Sequence, residues 1–155
     1  MIDSSLARWI LVAAAIMGAT GVILGSISAH GLVKILESNE MPSELIEKRV
    51  DQFEVGVRYQ MYHAIALLAL AAVPVGNPKS RRLTAILFCF GTVLFSGSLY
   101  VLVLTNNPKF GAITPIGGLC WIIAWLSLCW VAFRRKKHRI ESEFEITANP
   151  HSTGQ

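Results

Sequence analysis

Trp9-Ile-Leu-Val-Ala-Ala-Ala-Ile-Met-Gly-Ala-Thr-Gly-Val-Ile-Leu-Gly-Ser-Ile-Ser-Ala29 carries no formal charge. A helix needs about 20 predominantly apolar residues to cross the hydrocarbon core of a bilayer, within a working range of about 17–25. The pattern returns at 61–75, 83–104 and 113–133, and the second of these reaches the required length if its helix begins by Tyr59. The solvent of this chain is therefore lipid. The sequence predicts an all-α integral membrane four-helix bundle, with spans near 9–29, 59–75, 83–104 and 113–133.

Composition agrees. Hydrophobic residues make up 53% of the 155-residue chain and charged residues 15%, against about 25% charged in an ordinary soluble domain. Mean hydropathy is +0.50. The net charge of +4 gathers at segment ends, and no folded basic surface with interleaved aromatics is available for nucleic acid. The length suits one compact bundle over 1–135, followed by a basic then polar tail over 136–155, expected to be disordered and cytoplasmic. Cys89, Cys120 and Cys129 lie inside apolar stretches without metal-ligand spacing and read as small hydrophobes. The leader has Asp3 beside Arg8 and an apolar run longer than a signal core, so the first helix is expected to be retained.

Four crossings bring both termini and the 76–82 connection to one side. That side holds Arg8, Lys79, Arg81, Arg82 and the cationic run at 134–139. The other side holds Lys34, Lys48, Arg49, Arg58 and Lys109, diluted by six acids in the first loop. Lys and Arg beside spans favour the cytoplasm, so a plasma (inner) membrane protein with both termini cytoplasmic is expected. Trp9 and Trp130 then lie near the inner interface, and Tyr59, Tyr62 and Tyr100 near the outer one. The run at 134–139 reads as a stop-transfer cluster resting on lipid headgroups.

Burial alone does not pair helices in lipid; close approach through small residues does. Ala14, Gly18, Gly21, Gly25 and Ser28 share one face of the first helix by their spacing of three and four. Gly91 and Ser98, with Gly117 and Ala124, are the expected receivers of that face; a homodimer contact is the alternative. Pro74 and Pro78 bracket a turn at Gly76-Asn77. Asn106-Asn107-Pro108 closes the third helix, and Thr114 is placed to N-cap the fourth, with Pro115 in its first turn. In the first loop Ile46, Val50, Phe53, Val57 and Met61 recur at helical spacing. They predict an amphipathic helix that lies on the outer interface or runs straight into the second span.

The intramembrane polar residues are His30, Arg58, Tyr59, Gln60, Tyr62, His63, Ser96, Ser98, Tyr100 and Thr114, expected at similar depth toward the outer face. Such groups are costly in a membrane and tend to face a bundle interior or cavity. Four blocks around them, Gly25-Ser-Ile-Ser-Ala-His30-Gly-Leu, Arg58-Tyr-Gln-Met-Tyr-His63, Gly91-Thr-Val-Leu-Phe-Ser-Gly-Ser-Leu-Tyr100 and Gly111-Ala-Ile-Thr-Pro-Ile-Gly-Gly118, resemble one family. It is the small four-helix membrane family called domain of unknown function 423, or transmembrane protein 256-like. The resemblance spans about residues 6–133 and departs at Ser26 and Ser28, where members often have Ala and Gly. It implies a bacterial plasma-membrane protein and brings no catalytic residues.

The polar cluster has four readings. It can fix helix register in a non-catalytic scaffold or partner-binding component, which is the preferred one. It can line the path of a small-solute, ion or proton transporter, with His30 and His63 titrating. Two histidines are too few for zinc unless Asp51 or Glu54 folds back onto them, so no metal or other cofactor is expected. His63 with Ser96 or Ser98 lacks both a nucleophile elbow and an orienting carboxylate, so no enzyme is expected. The expected partners are the lipid bilayer and a second copy or another membrane protein.

Overall fold

The computed structural model describes residues 4–73 and 75–133. The cationic run and polar tail read above lie outside the described residues, as does Pro74. Among the described residues every regular element is helical: α1 (Ser4–His30), α2 (Leu32–Ser38), α3 (Ser43–Ala72), α4 (Pro78–Thr92), α5 (Ser98–Thr105) and α6 (Thr114–Phe133). A single π turn, Val93–Gly97, joins α4 to α5 in one rod, and a 3₁₀ turn, Pro108–Ala112, leads into α6. Three segments, Ser5–His30, Pro78–Thr105 and Pro108–Val131, are long and apolar enough to cross a membrane. The second half of α3 is apolar too, but its first half carries Glu44, Glu47, Lys48, Asp51 and Glu54.

The surface explains the composition. Val12, Ile16, Val22 and Ile23 on α1, and Ile122 and Leu126 on α6, each leave more than half of their area exposed. A soluble monomer rarely exposes contiguous apolar surface on that scale.

The amphipathic segment of the first loop and the expected second span are one uninterrupted 30-residue helix. Nothing in the sequence stops it: no proline falls between 43 and 73, and one stripe runs through Arg49, Phe53, Gly56, Gln60, His63, Ala64, Leu67 and Leu70, all buried. The apolar face of the first half meets protein. Phe53 packs with Leu32 and Leu36 of α2 and with Leu102 and Val103 of α5. Gly56 lets the Tyr100 ring sit against the backbone, since a Cβ there would stand 2.8 Å from Tyr100 Cε1.

Successive long helices run antiparallel. On α1 and α3, Ile10 and Ala14 share a core with Leu67 and Leu70, while Gly25 lies opposite Val57. That core also takes Ala85 and Phe88 of α4 and Trp121 and Ala124 of α6. The ends are fastened by polar groups. Asn77 accepts from the Lys79 backbone N–H at 2.9 Å and caps α4, with Pro78 in the first turn where a missing N–H is harmless. Arg81 is buried and donates to the Leu70 carbonyl at 2.6 Å, one of the last carbonyls of α3, which has no intrahelical partner. At the opposite end Arg49, also buried, donates to Asn106 Oδ1 at 3.1 Å through Nε and to Gln52 Oε1 at 2.8 Å. Asn106 closes α5 in the left-handed conformation, so the guanidinium stands at the negative end of that helix.

Two sequence expectations about packing are corrected. Gly91 and Gly117 do not receive the small face of α1; they receive each other. A Cβ on Gly117 would overlap the Phe95 backbone nitrogen and stand 2.8 Å from the Gly91 carbonyl oxygen. The α1 face is taken by α3, where a Cβ on Gly21 would meet Met61 Sδ at 2.5 Å. In chain order α1 and α3 are the first two long helices, with only the short α2 between them, and they pack against each other. Gly18 has nothing within 4 Å of where its Cβ would stand, and Ser28 is buried with its hydroxyl unpartnered.

Candidate functional site

Between the core around Phe88 and the core around Phe53, the facing helices carry a layer of hydrogen-bonding side chains. Gln60 is its centre. Its Nε2 donates to the Met17 carbonyl and to Thr20 Oγ1, both at 2.9 Å. Its Oε1 accepts from the Tyr100 hydroxyl at 3.0 Å. One buried amide thus ties α1, α3 and α5 together. Thr20 in turn donates to the Ile16 carbonyl at 2.8 Å, so the carrier of this contact is itself satisfied.

The π turn serves the neighbours on either side. Ser96, fully buried, donates to the Gly56 carbonyl of α3 at 2.8 Å. Ser98, two residues on, faces α6. Its hydroxyl donates to the Phe95 carbonyl at 2.9 Å. Having one proton, it is the acceptor from Thr114, 2.8 Å away. Thr114 is therefore the first residue of α6 and an interhelical donor, not the N-cap expected from sequence. π turns recur at functional positions in helices; here the turn brings a serine to each of two partners.

His63 sits flat on Trp121, with ring centroids 3.8 Å apart and planes 7° from parallel. Its Nδ1 lies 2.7 Å from the Tyr59 carbonyl, which only accepts, so that nitrogen carries the proton. Its Nε2 is then free to accept from the Trp125 indole N–H at 3.3 Å. Both ring nitrogens are used. Tyr59 and Phe95 complete the stack against Trp121, at 5.7 and 4.5 Å. Beside it an apolar groove of about 450 Å³ opens between α3 and α6, lined by Tyr62, Ile122 and Gly118 with the stacked rings.

The expected polar cluster divides on inspection. Gln60, His63, Ser96, Ser98, Tyr100 and Thr114 enter the layer, with Tyr59 at its aromatic edge. His30 and Arg58 are exposed and make no side-chain hydrogen bond to the described residues. Tyr62 is also exposed, and its ring meets the edge of Tyr59 at 5.8 Å. Tyr100 points into the bundle and is not an interfacial anchor. Gln60 meets α1 at Met17 and Thr20, the middle of that helix, and Trp121 and Trp125 straddle the middle of α6. Ser96 donates to the Gly56 carbonyl of α3 and Ser98 to the Phe95 carbonyl, and His63 bonds neither. Among the described residues no three His, Cys, Asp or Glu side chains converge to hold a metal.

The residue blocks have counterparts in other proteins. The family model described as "Protein of unknown function (DUF423)" matches residues 24–118. The chain belongs to this family. It is similar to a UPF0382 membrane protein of Haemophilus influenzae, 38% identical over 122 residues, covering 79% of this chain and 91% of that protein. A UPF0382 membrane protein of Staphylococcus saprophyticus is 37% identical, covering 77% and 95%. The UPF0382 inner membrane protein YgdD of Escherichia coli K12 is 32% identical over 142 residues, covering 88% and 98%. No solved structure matches. The family match takes in the layer from Gln60 through Thr114 and leaves out Met17 and Thr20, its contacts on α1.

Several members of the layer and its supports escaped the sequence reading. Thr20 and Trp121 sit in apolar runs where they look like fillers. Thr84 and Ser127, 2.6 Å apart, join α4 to α6 near the termini; their positions opposite one another depend on the crossing. Arg49 and Arg81 read as flanking charges, though each is buried. The layer makes a direct prediction. Gln60→Leu removes three interhelical bonds and should lower stability by about 2 kcal/mol, at about 0.6 kcal/mol each and up to about 1.7. Combined with Tyr100→Phe in a double-mutant cycle, the effects should be less than additive. Full additivity in detergent unfolding would mean the two side chains are not bonded.

Proposed function

We propose that this membrane protein is a non-catalytic, multi-pass component of the plasma membrane that works by packing with a partner or a second copy. In this reading α1, the apolar half of α3, the α4–α5 rod and α6 each cross, and both termini are cytoplasmic. The distribution of Lys and Arg supports that orientation. The observation that carries the functional reading is the closure of the polar layer on itself. The groups that a conducting path would need are spent on one another and on helix carbonyls, as in the bonds of Gln60, Ser96 and His63. A transporter of solute, ion or proton needs those groups turned toward a continuous wet path.

The test uses purified full-length protein in proteoliposomes. Proton and small-solute flux should not exceed that of protein-free vesicles between pH 5 and 8, and phospholipid should not be hydrolysed. His63→Ala should lower stability by about 1–2 kcal/mol, through two lost polar contacts and a lost ring stack, while leaving flux unchanged. A pH-dependent flux that His63→Ala abolishes would establish the transporter instead. Native mass spectrometry after gentle extraction should show a companion chain or a second copy. A bare monomer under conditions that preserve other membrane complexes would remove the packing role.

A further inference from the structure

At the end of the bundle where α1 begins and α3 turns into α4, a groove of about 460 Å³ opens between α1 and α4. Leu6, Trp9 and Ile86 form its apolar wall, and Lys79 and Arg82 its polar rim. Both cations are exposed, and no carboxylate among the described residues lines the groove. They stand where a helix least favours positive charge. The first turn of α4 has no acid, although the positive end of a helix dipole is stabilised by anions. Arg81 is not available to the groove, because it is buried and donates to the Leu70 carbonyl. Lys79 and Arg82 are left facing outward beside a tryptophan that is 43% exposed.

We propose that this groove seats one anionic phospholipid of the adjoining leaflet. Its phosphate lies between Lys79 and Arg82, the Trp9 ring stands at glycerol depth, and an acyl chain follows Leu6 and Ile86. The occupant is a lipid and not a free anion because the wall leads on into the lipid-facing surface. Val12 and Ile16 follow Trp9 on α1, and Phe90 follows Ile86 on α4, all exposed. Amphipathic tryptophan favours the headgroup boundary, and cations beside spans recruit anionic lipid. The inference requires only that the bundle lies in a membrane; it does not rest on the packing role proposed above.

Native mass spectrometry of the full chain in mild detergent, titrated with phosphatidylglycerol or phosphatidylcholine, tests it. One phosphatidylglycerol should be retained about tenfold more tightly than phosphatidylcholine. The double variant K79Q/R82Q should lose that preference, whereas K34Q/K109Q at the other end should keep it. Ile86→Trp, which fills the groove and leaves both cations, should also release the lipid. Equal retention of the two lipids by the wild type would overturn the proposal. So would a preference that survives K79Q/R82Q, which would move the site elsewhere. Displacement by millimolar inorganic phosphate would make it a free-anion pocket and overturn the lipid assignment.

Discussion

Gly117→Ala should separate α4 from α6 and cost the bundle about 3 kcal/mol, the upper end of what overpacking usually costs. The added methyl would overlap the Phe95 backbone nitrogen and stand 2.8 Å from both the Gly91 carbonyl oxygen and Phe95 Cβ. Two of these three obstacles are backbone atoms of the facing rod. A side chain can change rotamer; a helix backbone moves only as a whole. Separation would stretch the Ser98–Thr114 bond of 2.8 Å and the Thr84–Ser127 bond of 2.6 Å. Gly18→Ala is the matched control. Nothing lies within 4 Å of its added methyl, and alanine is favoured over glycine in a helix by about 1 kcal/mol, so stability should hold or rise. Unfolding of the two variants in sodium dodecyl sulfate, followed by circular dichroism, gives the comparison. Equal midpoints would mean that α4 and α6 do not cross at Gly91 and Gly117.

Trp121→Ala should be as damaging, at about 3–5 kcal/mol, the range for removing a large aromatic from a packed core. The indole is 4% exposed. It lies under His63 at 3.8 Å, touches Phe95 and Tyr59, and donates to the Phe88 carbonyl at 3.3 Å. Its loss opens a void and leaves the imidazole without its platform. A second variant separates packing from a general failure to fold. A Cβ on Gly91 would stand 2.5 Å from Trp121 Cδ1, so Gly91→Ala alone should destabilise. In the Trp121→Ala background the two nearest obstacles are gone and the Gly117 carbonyl oxygen, at 3.1 Å, remains, so the methyl should cost at least about 1 kcal/mol less than in the wild type, as neighbouring sites couple. Independent effects would mean that the indole does not cover Gly91.

Much of the layer was legible in the residues. Gln60, His63, Ser96, Ser98, Tyr100 and Thr114 stand out because a polar side chain in an apolar run must find a partner. Which partner each finds was not legible. Thr114 looked like a cap because threonine before Pro115 fits that role locally; its hydroxyl goes to Ser98 because α6 starts beside the π turn. Tyr100 looked like an interfacial anchor from its place along the span, yet its ring packs on Gly56 and its hydroxyl reaches Gln60. Trp121 and Trp125 gave no signal, since an aromatic residue in an apolar run suits lipid as well as it suits a core.

Sequence by itself determined that the chain is helical and lives in lipid, where the α4–α5 rod begins and ends, and which small face α1 offers. These follow from charge-free length, from Asn77-Pro78 and Asn106-Asn107-Pro108, and from glycine spacing. Only the tertiary structure decided that α1 packs on α3, that Gly91 meets Gly117, and that the polar groups close on each other. The physical reason is the solvent. In water, hydrophobicity marks the inward face of a helix; in lipid both faces are apolar. The choice of neighbour then falls to steric fit and hydrogen bonds, which exist only once two helices are set against each other.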